Sequence, residues 1–166
     1  YVVLSPGVSL HNSKNKKKLS KYKSKIITDI DLFFLSKKFY KSIVVTGTNG
    51  KSTTCKIIEH VLKKNKHQIL LGGNIGTPIL DLKIKKKSFL LIEASSFQLA
   101  YSKFIKPDFA ILLNITNDHL DWHGSMKHYI SSKFKIFKNQ SKNQYAIINK
   151  KLVSEFKRKK FSGTLI

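Results

Sequence analysis

Residues 44–53 read Val44-Val45-Thr46-Gly47-Thr48-Asn49-Gly50-Lys51-Ser52-Thr53. With Ile43 the run begins with three β-branched residues, which is typical of a strand buried on both faces of a parallel sheet. Gly47 and Gly50 then indicate a tight turn. From Ser52 to Lys64 the apolar residues recur at helical spacing, and the face they form would consist of Ile57, Ile58, Val61 and Leu62. The stretch therefore predicts a strand, a glycine-rich turn and a helix in direct succession.

Working outward from this unit, apolar runs and helical patterns alternate along the chain. A strand and turn open the sequence, a lysine-rich loop follows, and Ile26-Ile27 is a short strand. Further strands are predicted at residues 68–71, 89–92, 109–113 and 146–148, and helices at residues 29–38 and 127–137. Strands alternating with helices predict an α/β fold, a mostly parallel sheet flanked by helices and connected by right-handed crossovers. Ligands of such sheets gather beyond the carboxyl ends of the strands.

The composition sets limits on the class of protein. The 166 residues are enough for one domain, and no run of about 18 apolar residues predicts a membrane span. The formal net charge of +23 comes from 32 basic residues, of which Arg158 alone is arginine. Arginine is preferred for contacts to phosphates and bases, so its near absence argues against a nucleic-acid surface. We therefore interpret the charge as codon bias in an AT-rich genome, with a nucleic-acid surface as the alternative. The single cysteine, Cys55, agrees with a reducing cytoplasm.

The glycine-rich turn has the chemistry of a phosphate loop. Backbone N–H groups of such a loop, here Gly47, Thr48, Asn49 and Gly50, converge on phosphate oxygens at the start of a helix. Lys51 would reach the β- and γ-phosphates of ATP, and the hydroxyl of Ser52 or Thr53 would reach Mg²⁺. The common G-x-x-x-x-G-K-[ST] pattern would require glycine at Val45. The alternative is a glycine-rich turn without a ligand.

Several strings of this sequence resemble the superfamily of Mur ligases and folylpolyglutamate synthases. The first is Gly-Thr-Asn-Gly-Lys-Ser-Thr at residues 47–53, and others follow in the family's order at residues 72–76, 93–99, 113–121, 122–126 and 131–133. The similarity as a whole extends from about Leu4 to Asn149. The Ser-Ser-Phe-Gln-Leu string at residues 95–99 most resembles the branch that adds D-glutamate, whereas Asp-His-Leu-Asp at residues 118–121 is shared more widely.

The resemblance implies roles for three titratable side chains. Glu93 would be a Mg²⁺ ligand, where the alternative is a surface or helix-capping glutamate. His119 would act at a second Mg²⁺, although taken alone it would be a packing histidine, and imidazole is an unusual magnesium ligand. Lys133 corresponds to a lysine that these ligases carry in carbamylated form, with anionic oxygens that support magnesium. By helical position alone, Lys133 would be a solvent-facing lysine.

Four further positions are candidates for binding. The resemblance makes Asn74 and Ser95 contacts of the muramoyl-alanine end of a substrate, against the alternatives of a turn asparagine and a satisfied hydroxyl. Asn114, at the end of a predicted strand, is grouped with the nucleotide-binding residues. Ser5 lies in a Ser-Pro-Gly turn that resembles a substrate-facing loop of the family's first domain.

For the reaction, the resemblance implies ATP-driven amide formation. An alanyl carboxylate would attack the γ-phosphate of ATP to give an acyl phosphate, and the amine of D-glutamate would displace phosphate. The substrates would be UDP-N-acetylmuramoyl-L-alanine and D-glutamate, handled by a monomer in the cytoplasm with no nucleic-acid or membrane partner. The catalytic residues would be Lys51, Glu93, His119 and Lys133. A sister ligase, a folylpolyglutamate synthase-like ligase and a non-catalytic nucleotide-binding remnant are the rivals.

The domain organisation is also an expectation from the resemblance. Mur ligases have three domains, and the chain, which begins with Tyr1, looks as if it were entered midway. Residues 1–29 would be the tail of the N-terminal UDP-binding domain. Residues 30–166 would be a truncated central ATP-binding domain, with the C-terminal domain absent. We therefore expect the 166 residues alone to be inactive in ligation.

Overall fold

The strand before the glycine-rich turn is at the centre of a parallel sheet. In the computed structural model, which describes residues 1–10, 16–36, 41–84 and 87–166, six strands follow the order β4-β5-β3-β6-β7-β8, and a separate parallel pair is formed by β1 and β2. The strands are β1 (Val2–Val3), β2 (Ile26–Ile27), β3 (Lys41–Thr46), β4 (Ile69–Gly73), β5 (Phe89–Glu93), β6 (Phe109–Leu112), β7 (Tyr145–Ile148) and β8 (Thr164–Leu165). The predicted parallel α/β fold is confirmed.

Helices connect these strands. They are α1 (Lys16–Ser20), α2 (Asp29–Ser36), α3 (Lys51–Lys64), α4 (Ser96–Tyr101), α5 (Leu120–His123), α6 (Met126–Phe134) and α7 (Val153–Arg158). Short 3-10 helices cover Lys23–Lys25, Ile79–Asp81, Lys135–Phe137 and Lys150–Leu152. Within the described ranges, no helix has the length and apolar character that crossing a membrane would need.

The predicted lysine-rich loop before β2 is partly wrong, because α1 and one 3-10 helix lie in that stretch. The predicted helix at residues 29–38 is confirmed as far as Ser36; its last two positions lie outside the described residues. The sequence interpretation missed α4, α5, α7 and β8. Elements of two to six residues show too little periodicity to stand out from loops.

Packing differs between the two faces of the sheet. Most helices, namely α2, α4, α6 and α7, contribute buried side chains to one large core, including Phe33, Leu99, Phe134 and Phe156. The other face is covered by α3, through buried Cys55 and partly buried Ile58 and Leu62. The remaining two members of the predicted apolar face, Ile57 and Val61, are 59% and 50% exposed.

The parallel register brings the carboxyl ends of three strands together. Val45 of β3 lies opposite Glu93 of β5 on one side and Ile111 of β6 on the other. The glycine-rich turn after β3, the end of β5 and the segment after β6 therefore meet at one edge of the sheet, as the topology predicts.

A buried carboxylate, Asp31, ties α2 to the segment after α4. It is 0% exposed and accepts hydrogen bonds from the Ser102 hydroxyl at 2.7 Å and the Phe104 N–H at 2.8 Å, as well as from the Thr28 and Lys103 N–H groups. These donors are satisfied by this one side chain, so the link depends on its charge and shape.

Replacing Asp31 with alanine is expected to lower the free energy of unfolding by about 3 kcal/mol, because buried donors lose a charged acceptor. Urea denaturation of the chain measures the change. Asp81, an exposed carboxylate of a 3-10 helix, is the control, and its alanine variant should unfold within about 0.5 kcal/mol of the parent. An Asp31 variant as stable as the Asp81 variant would contradict this prediction.

Candidate nucleotide-binding site

The side chain of Asn114 is hydrogen-bonded to the backbone of the loop between β3 and α3. The Oδ1 atom of Asn114 accepts hydrogen bonds from the N–H groups of Thr48 at 3.1 Å and Asn49 at 2.9 Å, and its Nδ2 donates to the Asn49 carbonyl at 3.1 Å. A Cβ atom at Gly47 would come within 3.1 Å of Leu113 Cβ. Glycine at this position therefore permits the close approach of the two segments, and Asn114 shapes the loop.

Lys51 begins α3 and folds back over this loop. Its Nζ donates to the carbonyls of Gly47 at 3.0 Å and Thr48 at 2.8 Å. Gly50, which caps the helix, has φ = +82°, a left-handed conformation that glycine adopts without a Cβ clash. The lysine charge and the positive end of the helix dipole thus act at the same loop, as anion binding requires.

Glu93 at the end of β5 joins two neighbouring loops. Its side chain is buried, its Oε2 accepts a hydrogen bond from the Ser52 hydroxyl at 2.8 Å, and its Oε1 accepts one from Asn74 Nδ2 at 2.9 Å. The approach of β4 depends on Gly73, which has φ = +103° and whose Cβ would lie 2.4 Å from the Glu93 carbonyl oxygen. Gly72 and Gly73 therefore allow the side-chain amide of Asn74 to reach the Glu93 carboxylate.

The paired oxygens of Ser52 and Glu93 fit a magnesium ion. Hydroxyl and carboxylate oxygens are the ligands that this hard cation takes, with water and phosphate oxygens completing its shell. Of the two hydroxyls proposed from the sequence, Ser52 is the one that meets Glu93. Across the described ranges, no group of three or more His, Cys, Asp or Glu side chains could hold a metal by itself. The metal would thus depend on nucleotide phosphates.

The interpretation of Lys133 as a solvent-facing helical lysine is wrong, because its side chain is buried. Its side chain is 2% exposed, and its Nζ donates to the Gly47 carbonyl at 2.7 Å and lies 4.6 Å from the centre of the Tyr129 ring. Burial, with a smaller contribution from the charge of Lys51, lowers the pKa of Lys133 to about 7, while Asp118 opposes the shift. Near neutral pH a large fraction of this amine is uncharged.

His119 faces the same space from the segment after β6. Its φ of +52° is a left-handed conformation that a non-glycine residue adopts rarely. The local fold is held by Asp118, which accepts from the His119 N–H at 2.9 Å and lies 3.3 Å from its Nε2. The ring also packs against Phe97, with 4.7 Å between ring centres.

A cavity of about 100 Å³ lies between the glycine-rich loop, His119 and Lys133. It is lined by Gly47, Thr48, Lys51, Asn74, Ser95, Ser96, Phe97, His119, Tyr129 and Lys133. Seven of the fourteen residues selected from the sequence therefore line this one cavity. Glu93 and Ser52 do not line it, but Glu93 accepts a hydrogen bond from Asn74, which does. Ser5 does not line it: this residue is exposed in a turn closed by a hydrogen bond from the Val8 N–H to its carbonyl.

If cavity volume alone were the criterion, a different cavity would be chosen as the site. A larger cavity of about 470 Å³ lies beside α6 and α7 and is lined by four lysines, two phenylalanines and two serines. It contains no glycine-rich loop and no carboxylate. The smaller cavity is lined by the glycine-rich loop, Lys51 and buried Lys133, and Asn74 connects its wall to the Ser52–Glu93 pair. We therefore place the site there.

Ser95 is engaged in the structure of α4. Its hydroxyl accepts from the Gln98 N–H at 3.2 Å and donates to Gln98 Oε1 at 3.1 Å. The Ser95 N–H also donates to Gln98 Oε1 at 3.1 Å, which completes a capping box. The next residue, Ser96, places its hydroxyl 3.0 Å from His123 Nε2. Both serines line the cavity, but each hydroxyl already has a protein partner.

Tyr129 is a site residue that the sequence interpretation missed. Its hydroxyl lies 2.9 Å from the Thr48 hydroxyl, and burial raises its pKa above the ordinary value. A signal was present, since Tyr129 and Lys133 are four residues apart in a predicted helix and must therefore share a face.

The fold and this cavity together define a parallel α/β domain with a phosphate-binding loop. The Mur ligase middle domain matches residues 45–164, and the chain belongs to the Mur ligase family.

Curated relatives agree with this assignment. The chain is 46% identical over 148 residues to the UDP-N-acetylmuramoylalanine--D-glutamate ligase of Rickettsia bellii. The matched stretch covers 89% of this chain and 32% of that protein. Ligases of the same name from Wolbachia pipientis and Thermosipho africanus are 45% and 42% identical, over 81% and 89% of this chain and 26% and 36% of theirs. The chain thus spans about a third of the length of the relatives it matches.

Solved structures show the same fold. MurF ligase from Thermotoga maritima in complex with ADP superposes with a TM-score of 0.61 at 25% identity, over 85% of this chain and 40% of that one. UDP-N-acetylmuramate:L-alanyl-gamma-D-glutamyl-meso-diaminopimelate ligase from Neisseria superposes with a TM-score of 0.65 at 15% identity, over 98% and 56%. Both support a shared α/β architecture.

Proposed function

We propose that this chain is the ATP-binding part of a ligase that adds D-glutamate to UDP-N-acetylmuramoyl-L-alanine in peptidoglycan precursor synthesis. The observation that carries the proposal is that Lys51 and buried Lys133 line one cavity, with the Ser52–Glu93 pair bonded to Asn74 of its wall. The choice of D-glutamate rests on the names of the relatives.

The chemistry follows from bringing two anions together. A substrate carboxylate can attack the γ-phosphate of ATP only if its charge and that of the phosphate are neutralised. Lys51, at the start of α3, would hold the phosphates by charge, and the loop amides would orient them for in-line attack. The product would be an acyl phosphate, whose phosphate the amine of D-glutamate then displaces to form the amide.

Magnesium would supply Lewis-acid stabilisation of the phosphate oxygens. In this chain, Ser52 and Glu93 would hold it, and Asn74 would keep the Glu93 carboxylate oriented through its 2.9 Å hydrogen bond. His119 faces the cavity and is the candidate for a second metal position. The Ser52 and Glu93 assignments are consistent with oxygen ligands placed beside a phosphate loop.

Lys133 is proposed to act as a carbamate. Its uncharged amine would add to carbon dioxide, forming an N–C bond and releasing one proton, so that an ammonium is exchanged for an anionic oxygen donor. The lowered pKa makes the reactive form available near neutral pH. Two further oxygens would then lie near the Gly47 carbonyl of the loop.

The finer assignments belong to the same proposal. Residues 1–29 would come from a preceding UDP-binding domain and residues 30–166 from the central domain, with Ser5, Asn74 and Ser95 near the muramoyl-alanine end of the substrate. The enzyme would work as a monomer in the cytoplasm and would serve cell-wall biogenesis, cell shape and division. The 166 residues alone would lack the surface that binds the amine.

The test is phosphate release by the full-length protein with Mg-ATP and UDP-N-acetylmuramoyl-L-alanine. We expect release to depend on D-glutamate and to be absent with meso-diaminopimelate. Release with meso-diaminopimelate alone would transfer the proposal to a sister ligase. Nucleotide binding without release for either amino acid would favour a non-catalytic remnant.

A further inference from the structure

We infer that Tyr129 is a positioning residue that fixes the phosphate loop to helix α6. The inference rests on the proposed nucleotide binding. It assigns a role to a side chain that touches neither phosphate nor metal in that proposal, and it starts from the contacts of one buried phenol.

Tyr129 is 0% exposed and connects three parts of the site. Its hydroxyl lies 2.9 Å from the Thr48 hydroxyl in the loop, its ring face lies 4.6 Å from the Lys133 ammonium, and its ring centre lies 5.1 Å from that of His123. A side chain held on several sides has little rotamer freedom. Its hydroxyl is therefore a fixed point for the loop.

Thr48 is the loop residue that uses this fixed point. Its hydroxyl accepts a hydrogen bond from the Thr116 N–H at 3.0 Å, lies 3.4 Å from the Thr116 carbonyl, and meets the Tyr129 hydroxyl. One hydroxyl thus joins the loop, the segment after β6 and α6. Because a hydroxyl has one donor and two acceptor positions, these three contacts can satisfy it fully.

The same phenol also holds Lys133 by its ring. A cation over the face of a tyrosine ring is attracted by the ring quadrupole, and Lys133 donates at the same time to the Gly47 carbonyl of the loop. Tyr129 therefore makes two separable contributions: the hydroxyl acts on the loop through Thr48, whereas the ring packs on Lys133 and attracts its ammonium form before carbamylation. Removing the hydroxyl alone separates them.

The test is the Tyr129→Phe variant of the full-length protein, with Mg-ADP as the probe. We expect its dissociation constant for Mg-ADP, and its KM for ATP, to rise by about 3- to 10-fold, the size of one lost hydrogen bond. The kcat should stay within about 2-fold, because the ring under Lys133 remains. The matched control is Tyr101→Phe, which removes a half-buried hydroxyl that accepts from Leu10 outside the cavity and should leave Mg-ADP binding unchanged.

A double-mutant cycle separates positioning from general softening of the fold. In the Thr48→Val background, Tyr129→Phe should have almost no further effect on Mg-ADP binding, because its partner is already gone. Additive effects, an unchanged dissociation constant in Tyr129→Phe, or an equal loss in Tyr101→Phe would overturn the inference. If D-glutamate-dependent phosphate release is absent but the coupling in Mg-ADP binding is found, the proposed ligase activity fails and the inference stands.

Discussion

Replacing Lys133 with methionine is expected to raise the free energy of unfolding of the chain by about 2 to 4 kcal/mol at pH 6. At that pH the buried amine is protonated, and an ion removed from water costs several kcal/mol unless it is paired with an opposite charge. Its partners are a carbonyl and a ring face. Methionine fills a similar volume without the charge, and the Gly47 carbonyl keeps its hydrogen bond from Lys51.

The gain should depend on pH in a defined window. The folded-state pKa of Lys133 is lowered to about 7 from 10.5, so between these values the unfolded chain holds a proton that the folded chain has lost. The lysine therefore contributes stability that increases as pH rises through this window. The advantage of methionine is full below pH 7 and nearly gone at pH 10.

Urea unfolding of parent and variant at pH 6 and pH 10 measures this window. Lys127, an exposed lysine of the same helix, is the matched control, and its methionine variant should show no comparable gain at either pH. Equal gains for Lys133→Met at pH 6 and pH 10 would mean that desolvation of the charge is not the cause.

The stabilising substitution should also abolish ligation. In the full-length protein, Lys133→Met and Lys133→Ala are expected to lower kcat by about 10³-fold or more, the size of effect seen when a group that stabilises transition-state charge is removed. Added acetate should restore part of the activity of Lys133→Ala, because it can enter the space and replace the carboxylate of a carbamate. Unchanged activity of either variant would remove Lys133 from the mechanism.

A stability gain combined with an activity loss would explain why a lysine occupies this place. Functional sites hold groups whose environment is unfavourable for folding. The sequence could not reveal this, because a lysine in a short polar helix is solvated in most cases. Burial of Lys133 follows from the tertiary position of α6 against the phosphate loop.

Other parts of the structure were accessible from sequence because their signals are local. The β-branched run of β3, the glycines of the turn and the helical spacing of α3 lie within a few residues of one another. The pairing of Ser52 with Glu93 spans 41 residues in sequence. Only the rule that parallel strands end at one edge made that meeting predictable.

The supporting contacts were not predictable by the same reasoning. Asn114 was selected as a nucleotide contact, yet its side chain bonds the loop backbone. Asp31 has no local signature of burial, since an acid near a helix start is an ordinary surface feature. For Tyr129 the only signal was the helix face that it shares with Lys133, and this spacing does not show that the face is buried. Their roles depend on which elements pack against them, and packing is decided by the whole fold.

Replacing Glu93 with glutamine in the full-length protein is expected to lower kcat by about 10³-fold and to raise the Mg²⁺ concentration needed for half-maximal rate. The side chain keeps its volume and an oxygen that can accept from the Ser52 hydroxyl. Its new NH2 group replaces the oxygen that accepts from Asn74 Nδ2, and it can donate to Asn74 Oδ1 once that amide turns over, so the loops should stay in place. What is lost is the negative charge beside that hydroxyl, and a neutral amide is a weaker ligand for a hard divalent cation.

The control for Glu93→Gln is Asp108→Asn. Asp108 is also a hydrogen-bonded carboxylate, but it bonds Ser42 near the start of β3, at the opposite edge of the sheet. Rates measured over a range of Mg²⁺ concentrations should show a shifted dependence for Glu93→Gln and the parental dependence for Asp108→Asn. If the rate of Glu93→Gln depended on Mg²⁺ concentration as the parental rate does, Glu93 would not be a magnesium ligand. Its role would then be structural, joining the Ser52 hydroxyl to the Asn74 amide.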